Sequence, residues 1–132
     1  MNAIGRVESV LEDLADAPRQ ADEGAPPAWL VFEPEYADAL TGLRPGDAIV
    51  VLTWLDRANR DVLVVHPRGE VARAREGVFR TRSPHRPNPI GLHEVTVTSV
   101  DGLRVGVDHL EAIDGTPIID VKAVLCGDVS QR

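Results

Sequence analysis

The sequence predicts a mainly β fold, a small antiparallel β-barrel or sandwich with one or two short helices. Two observations carry this prediction: many short runs of apolar and β-branched residues, and turn-forming Pro, Gly and Asp residues between them. The length of 132 residues fits one domain, residues 1–132. Aromatic residues make up only 4% of the sequence, so the core must rest on Val, Leu, Ile and Ala.

The N-terminal half of the sequence contains segments typical of strands, loops and a short helix. Residues 4–11 mix apolar and polar positions and predict a first strand, and the proline-containing residues 16–27 predict a loop. Residues 28–32 are a short apolar run typical of a strand, and Pro34 then opens one or two helical turns over residues 34–40. Residues 42–47 predict a turn. Residues 48–55 predict the strongest buried strand, and residues 62–65 predict a second one.

The C-terminal half predicts a hairpin and a last strand. Residues 91–100 alternate, the Asp-Gly pair at 101–102 predicts a tight turn, and residues 103–107 predict the returning strand. Residues 117–125 predict the final strand. Trp29 and Trp54 lie in apolar runs, so both are predicted to be core residues, and Cys126 is predicted to be a small packing residue.

Length and composition exclude several classes of protein. A Rossmann domain with a separate substrate domain does not fit, and neither does a (β/α)₈ barrel. No apolar run approaches the ~18 residues that a membrane-spanning helix needs, and the N-terminus lacks the layout of a signal peptide. A single cysteine cannot form an internal disulfide, so the expected location is a reducing cytoplasm. The histidines show no spacing of metal ligands, so no metal is expected.

Positive charge is concentrated in one segment of an acidic chain. The net charge is −7, yet residues 66–86 contain six arginines and only two acids. These arginines are Arg68, Arg73, Arg75, Arg80, Arg82 and Arg86. Guanidinium groups bind carboxylates and phosphates through paired hydrogen bonds, so the segment is either a binding surface or a solvated basic loop.

Three prolines within six residues make the adjoining segment stiff. Pro84, Pro87 and Pro89 each fix their own φ and push the preceding residue into extended geometry. The segment therefore presents polar side chains at fixed angles before any ligand arrives. Arginine side chains there can hold a carboxylate, and Asn88 can read an adenine edge or a sugar hydroxyl. The alternative is a rigid surface turn between two strands.

A second segment, Asp114-Gly115-Thr116-Pro117, predicts a turn that leads into the last strand. Read alone, it indicates nothing beyond that turn. Together, residues 81–92, residues 114–122 and residues 17–20 resemble, in order and in rough spacing, the motifs of the TsaA-like (TrmO-type) methyltransferase family. Residues 81–92 are the long and specific motif of the three.

The resemblance implies a compact β-barrel that binds S-adenosylmethionine without a Rossmann fold, which agrees with the absence of a Gly-x-Gly-x-x-Gly fingerprint. It also implies a homodimer. The activity it implies is methylation of N6 of threonylcarbamoyladenosine, a modified base beside the anticodon of certain tRNAs.

Site residues follow from the matching motif positions. The resemblance implies cofactor contacts at Arg82, His85, Arg86, Pro87, Asn88, Pro89, Ile90, Asp114, Gly115 and Thr116. Candidate substrate contacts are Arg19, Gln20, Arg73, Arg75 and Arg80. Asp114 and His85 are the candidate catalytic residues: either can act as a weak base, and Asp114 can favour the sulfonium charge.

Departures from the family pattern keep two alternatives open. Ala21-Asp22-Glu23 follows residues 17–20 where the family usually has Pro-Gly, and Arg80 replaces a small residue. The sequence also ends without the additional C-terminal domain of longer bacterial members. A methyltransferase acting on a small molecule, or a non-catalytic S-adenosylmethionine-binding module, therefore remains an alternative to the tRNA enzyme.

Overall fold

The computed structural model describes residues 2–11, 26–66 and 75–125. In these ranges it contains eight strands and two short 3₁₀ helices. The strands are β1 Gly5–Glu8, β2 Ala28–Phe32, β3 Ala48–Trp54, β4 Val64–Val65, β5 Glu76–Gly77, β6 Ile90–Asp101, β7 Arg104–Val107 and β8 Pro117–Ala123. The 3₁₀ helices are Pro34–Leu40 and Val78–Arg80.

Six of the strands form one antiparallel sheet that closes on itself in the order β1-β2-β7-β6-β3-β8. The pairing of β3 with β6 covers seven residue pairs, from Ala48↔Thr96 to Trp54↔Ile90. The seam between β1 and β8 is much shorter and consists of Gly5↔Ile118 and Arg6↔Pro117. The mainly β prediction is confirmed, and closure leaves none of these six strands with a fully unpaired edge.

Alternation along the strands decides which side chains enter the barrel. In β2 and β3 every second residue is buried, as expected for strands with one inward face. The core consists of aliphatic side chains with a single aromatic ring: Val7, Ala28, Leu30, Phe32, Ile49, Val51, Val95, Val97, Val105, Val107, Leu110, Ala112 and Ile118. Burial of such apolar surface contributes roughly 25 cal/mol per Å².

The prediction that both tryptophans belong to the core is wrong. Trp29 and Trp54 occupy the outward-facing positions of β2 and β3, where they are only half-buried. The guanidinium of Arg104 lies 4.8 Å from the Trp29 ring centre, and that of Arg60 lies 5.3 Å from the Trp54 ring centre. On the outer face of the barrel, each indole ring is shielded from water because an arginine side chain packs over it.

The second predicted buried strand, residues 62–65, also differs from the structure. Only Val64–Val65 forms a strand, and it pairs with β5 outside the barrel. Leu63 and Val64 are 63% and 44% exposed. An apolar run of four residues does not by itself specify burial, because its neighbours in space decide that.

The first strand, Gly5–Glu8, is shorter than the predicted residues 4–11, and most of the remaining elements agree with the sequence. The helical turns over Pro34–Leu40 are present as a 3₁₀ helix, and the β6–β7 hairpin turns at Gly102, whose φ is 60°. Loop residues 16–25 and Cys126 lie outside the described ranges. Within the described ranges, no helix has the length and apolar character needed to cross a membrane.

Candidate functional site

The proline-rich loop, residues 81–89, runs from the second 3₁₀ helix to the start of β6 and is held by Arg86. Nη1 of Arg86 donates to the carbonyl oxygens of Thr81 and Ser83, each at 3.0 Å. Nη2 donates to the carbonyl oxygen of Val78 at 2.9 Å. One half-buried guanidinium thus ties the second 3₁₀ helix to the first residues of the loop. Its donors in these bonds are committed to the protein's own backbone.

Short side-chain hydrogen bonds fix the first half of the proline-rich loop. The Thr81 hydroxyl accepts a hydrogen bond from the backbone N–H of Ser83, and the Ser83 hydroxyl accepts one from the N–H of His85, both at 3.2 Å. Serine and threonine hydroxyls stabilise turns in this way. They act together with Pro84 and Pro87, which restrict the same stretch of backbone.

The turn that follows β3 supports the outer side of the same loop. The N–H of Asn59 donates to Nδ1 of His85 at 2.9 Å. Arg60 donates from Nε to the carbonyl oxygen of Pro87 at 2.7 Å and from Nη2 to Oδ1 of Asn88 at 3.1 Å. Because Arg60 also lies over Trp54, an aromatic ring and two hydrogen bonds hold it in place. Sequence analysis missed Arg60, since its partners lie almost thirty residues away.

Pro89 anchors the end of the proline-rich loop. Its side chain is fully buried, and its carbonyl oxygen accepts a hydrogen bond from the N–H of Leu55 at 2.8 Å. The next residue, Ile90, is 48% exposed at the start of β6. The sequence-predicted cofactor residues of this motif therefore lie on one stiff loop.

One cation of the loop is unpaired within the described ranges. Arg82 is exposed, and its guanidinium makes no hydrogen bond or ion pair with any residue that the structure describes. Arg75 and Arg80 are likewise exposed. Asn88 is exposed and uses its Oδ1 for Arg60, which leaves its amide nitrogen as a donor. Among the described residues, the loop therefore offers one free guanidinium and one free amide nitrogen.

The second motif is attached to β1. Oδ1 of Asp114 accepts a hydrogen bond from the N–H of Ser9 at 3.0 Å, and the N–H of Gly115 donates to Val7 at 2.7 Å. Thr116 is buried, and its hydroxyl donates to the carbonyl oxygen of Ile113 at 2.6 Å. Asp114 is exposed and so keeps a carboxylate oxygen available, whereas the hydroxyl of Thr116 serves the turn itself.

Strand register brings both motifs to the same end of the barrel. Thr53 of β3 lies opposite Gly91 of β6 on one side and opposite Ile118 of β8 on the other. The proline-rich loop enters β6 just before Gly91, and the second motif enters β8 just before Ile118. Neighbours across one intervening strand are about 10 Å apart. Within the described ranges, no hydrogen bond or ion pair joins the side chains of the two motifs.

A buried polar chain lies inside the barrel at this end. Nε2 of His93 is 2.8 Å from the hydroxyl of Thr53, and Nδ1 of His93 is 2.8 Å from Oε1 of Glu111. Thr53 and His93 are buried, while Oε2 of Glu111 is buried with no hydrogen-bond partner in the described part of the chain. A Cβ at Gly91 would contact the Thr53 hydroxyl and lie 2.6 Å from Nε2 of His93, so glycine there makes room for this chain.

The connection from β7 to the second motif contains a perturbed acid. Burial by itself raises the pKa of Asp108, but hydrogen bonds from the N–H groups of Thr96 and His109, both at 2.9 Å, outweigh burial. The pKa of Asp108 therefore lies below its ordinary value. The ionised carboxylate fixes the start of this connection.

One surface hollow beside the barrel contains predicted site residues, and a second does not. A hollow of about 340 Å³ is bounded by Arg6, Glu8, Glu33, Asp114 and Gly115, among others. The other, of about 560 Å³, lies between the first 3₁₀ helix and β8 and includes Tyr36, Leu40 and Val121. The proline-rich loop lines neither of these two hollows.

Some predicted residues lie outside the described ranges, namely Arg19, Gln20 and Arg73. Within those ranges, no group of three or more His, Cys, Asp or Glu residues has an arrangement that could hold a metal ion.

Comparison with known proteins covers nearly the whole chain. Residues 6–126 match the family described as the tRNA-methyltransferase O N-terminal domain. Among curated proteins, an S-adenosyl-L-methionine-binding protein of Archaeoglobus fulgidus is 43% identical over 92% of this chain and 86% of its own length. A probable S-adenosyl-L-methionine-binding protein of Methanothermobacter thermautotrophicus is 43% identical over 90% and 85%.

Other relatives are longer than this chain. A second, probable S-adenosyl-L-methionine-binding protein of Archaeoglobus fulgidus is 41% identical over 92% of this chain, which covers only 33% of that protein. The crystal structure of TrmO from Pseudomonas aeruginosa superposes with a TM-score of 0.72 at 26% identity, over 94% of this chain and 54% of that one. The chain thus spans about half of the solved structure that it resembles.

Proposed function

Because this chain belongs to the family of tRNA-methyltransferase O N-terminal domains, we propose that it binds S-adenosylmethionine and transfers a methyl group to N6 of threonylcarbamoyladenosine in tRNA. The observation that carries the proposal is the free guanidinium of Arg82 on a loop whose other arginine, Arg86, is occupied by backbone carbonyls. Relatives that this chain covers well are named S-adenosyl-L-methionine-binding proteins, which supports the choice of cofactor.

The residues present suit the chemical groups of this cofactor. Arg82 can form paired hydrogen bonds with the methionine carboxylate, and no residue in the described part of the chain competes for it. The free amide nitrogen of Asn88 can donate to the adenine ring or to a ribose hydroxyl. Asp114 offers a carboxylate oxygen for the sulfonium charge. Pro87, Pro89, Ile90, Gly115 and Thr116 contribute backbone and shape in this proposal.

In the proposed mechanism the protein aligns the reacting groups and excludes water. When bound, S-adenosylmethionine supplies an activated methyl group. The N–H of the acceptor adenosine must lose its proton, and Asp114 suits this role because one of its oxygens is exposed and free. His85 suits it less, because its Nδ1 already accepts the N–H of Asn59 and its neutral ring therefore carries the proton on Nε2.

The RNA part of the proposal rests on charge. Arg75 and Arg80 are exposed near the proline-rich loop of an otherwise acidic chain, and they are assigned to phosphates of the substrate. Arg73, Arg19 and Gln20 remain predicted substrate contacts. A cytoplasmic location follows from a tRNA substrate.

A homodimer is also part of the proposal. Ile90 and Leu92 are apolar and project from the outer face of β6, with 48% and 45% of their surfaces exposed. A self-complementary contact through this strip would cover both. Sedimentation of the wild type and of Leu92→Asp tests this proposal. The wild type is expected to be a dimer and Leu92→Asp a monomer, and a wild type that is itself monomeric would contradict the proposal.

Calorimetric titration with S-adenosylmethionine tests the cofactor assignment. Arg82→Ala is expected to weaken binding at least tenfold, whereas Arg80→Ala, at a nearby exposed arginine assigned to RNA, is expected to leave it unchanged. Equal losses in both variants would show that general positive charge matters and not the free guanidinium of Arg82.

Methyl transfer to tRNA is then measured on the wild type. Incorporation of labelled methyl groups into tRNA that contains threonylcarbamoyladenosine supports the full proposal. Cofactor binding with transfer to metabolites only would favour a small-molecule methyltransferase. Binding with no transfer to either would favour a non-catalytic module.

A further inference from the structure

Phe79 is the exposed exception among the aromatic residues. The chain has five of them, and the structure describes all five. Phe32 is in the core, Tyr36, Trp29 and Trp54 are half-buried, and Phe79 is 84% exposed. A water-exposed phenyl ring contributes nothing to the core, but its flat apolar face is available for contact with a ligand.

The backbone beneath the Phe79 ring is held in place. The neighbouring Val78 is 2% exposed, and its N–H donates to the carbonyl oxygen of Leu63 at 2.9 Å. The carbonyl oxygen of Val78 accepts hydrogen bonds from the N–H of Thr81 at 3.1 Å and from Nη2 of Arg86 at 2.9 Å. The ring is therefore presented from a fixed turn, which lowers the entropy lost when a ligand stacks on it.

The surroundings of Phe79 are basic. Arg80 follows it in sequence, and Arg75 and Arg82 lie within four residues of it on either side, all of them exposed. An aromatic ring beside arginines is the combination with which proteins bind single-stranded nucleic acid, since bases stack on the ring and phosphates contact the cations.

We propose that Phe79 is a stacking platform for an unpaired base of the RNA substrate. This inference rests on the proposed tRNA activity and adds a contact to it. The base beside the anticodon lies in a loop, where neighbouring bases are unpaired and can stack on a protein ring. A second copy of this chain is the less suitable occupant, because a two-fold contact centred on Phe79 would bring two sets of like-charged arginines together.

Fluorescence anisotropy with a labelled anticodon stem–loop that carries threonylcarbamoyladenosine tests the proposal. Phe79→Ala is expected to weaken RNA binding about tenfold. Phe79→Trp is expected to retain it, because the larger ring also stacks. Val10→Ala is the matched control, since Val10 is an apolar residue that is 78% exposed on a different part of the chain.

Salt dependence separates stacking from phosphate contact. Phe79→Ala removes no charge, so its slope of log affinity against log salt should equal that of the wild type, whereas Arg80→Ala should reduce the slope by about one. Thermal unfolding of Phe79→Ala should match the wild type because the ring is exposed.

Three results would overturn the assignment. The first is unchanged RNA affinity in Phe79→Ala while the wild type still methylates RNA, which leaves the proposed function standing. The second is a dimer that dissociates in Phe79→Ala, which would make the ring an interface residue. The third is a wild type that binds S-adenosylmethionine but no RNA, which would remove the tRNA substrate and the stacking role together.

Discussion

Replacement of Arg86 by alanine should destabilise the protein as well as weaken its cofactor site. The wild-type guanidinium donates three hydrogen bonds of 2.9–3.0 Å to the carbonyl oxygens of Val78, Thr81 and Ser83. A hydrogen bond from a charged group contributes about 1.5–3 kcal/mol when buried, and partial exposure of Arg86 lowers this to about 1 kcal/mol each. The expected loss is therefore about 3 kcal/mol, which corresponds to about 11 °C in Tm for a chain of 132 residues.

Urea denaturation followed by circular dichroism measures the change, with Arg82→Ala as the matched control. Arg82 is an exposed arginine on the same loop and makes no hydrogen bond with any residue that the structure describes, so its removal should change the free energy of unfolding by less than about 0.5 kcal/mol. Arg86→Lys should recover only part of the loss, because an ammonium group cannot reproduce the planar fork that reaches three carbonyls.

The two variants should also differ in how they lose S-adenosylmethionine. Arg82→Ala should bind weakly at full stability, whereas Arg86→Ala should bind weakly because the loop is no longer fixed. An Arg86→Ala protein that unfolds at the wild-type urea concentration would refute the assignment of Arg86 as the group that holds the loop.

Three further predictions concern the interior and the connection to the second motif. Gly91→Ala should destabilise the protein by about 1–3 kcal/mol in thermal unfolding, because its Cβ would overlap the Thr53–His93 pair; an unchanged Tm would contradict this. His93→Leu should lower the free energy of unfolding by about 3 kcal/mol, because it removes the hydrogen-bond partner of the largely buried Glu111 carboxylate. Adding Glu111→Leu should recover much of that loss, and strictly additive effects of the two substitutions would contradict the interaction between the two side chains. Asp108→Asn should be less stable than the wild type at neutral pH. Because the folded pKa of Asp108 is lowered, the difference should be present above the unfolded value of 3.8 and vanish as the pH falls through the folded pKa; a constant difference across an acid titration would contradict this.

The elements that sequence reasoning found are those specified by local chemistry. Residues 28–32 and 34–40 matched β2 and the first 3₁₀ helix, because a short apolar run and a proline at a helical start act on their own neighbours. The β6–β7 hairpin was equally local, since Gly102 supplies the positive φ that its turn requires.

The predictions that were wrong concern features that depend on non-local packing. Nothing around Trp54 indicates that it faces outward, because the arginine that covers it belongs to a turn and the inward register of β3 depends on β6 and β8. Residues 62–65 have a strand-like composition, yet their partner is a two-residue strand outside the barrel. The pairing of a strand depends on the whole topology.

The same distinction holds for the candidate site. The stiffness of the proline-rich loop could be predicted from its prolines. The hydrogen bonds from Arg86 to backbone carbonyls could not, since the sequence does not show whether an arginine of a basic segment binds a ligand or the protein's own backbone. Arg60 and the Thr53–His93–Glu111 chain are assembled from residues distant in sequence. Only the closed sheet brings them together.

The short seam between β1 and β8 sets the order in which this barrel assembles and opens. Its two residue pairs join opposite ends of the chain, and Pro117 has no N–H to contribute, whereas the β6–β7 hairpin closes across a local turn. The hairpin should therefore form early in folding and the seam last, and amide hydrogens such as that of Ile4, bonded to Ile118, should exchange first in the native state. Because Gly115 is bonded to Val7 of β1, opening of the seam also releases the second motif, so a ligand that binds there must slow exchange across the whole seam.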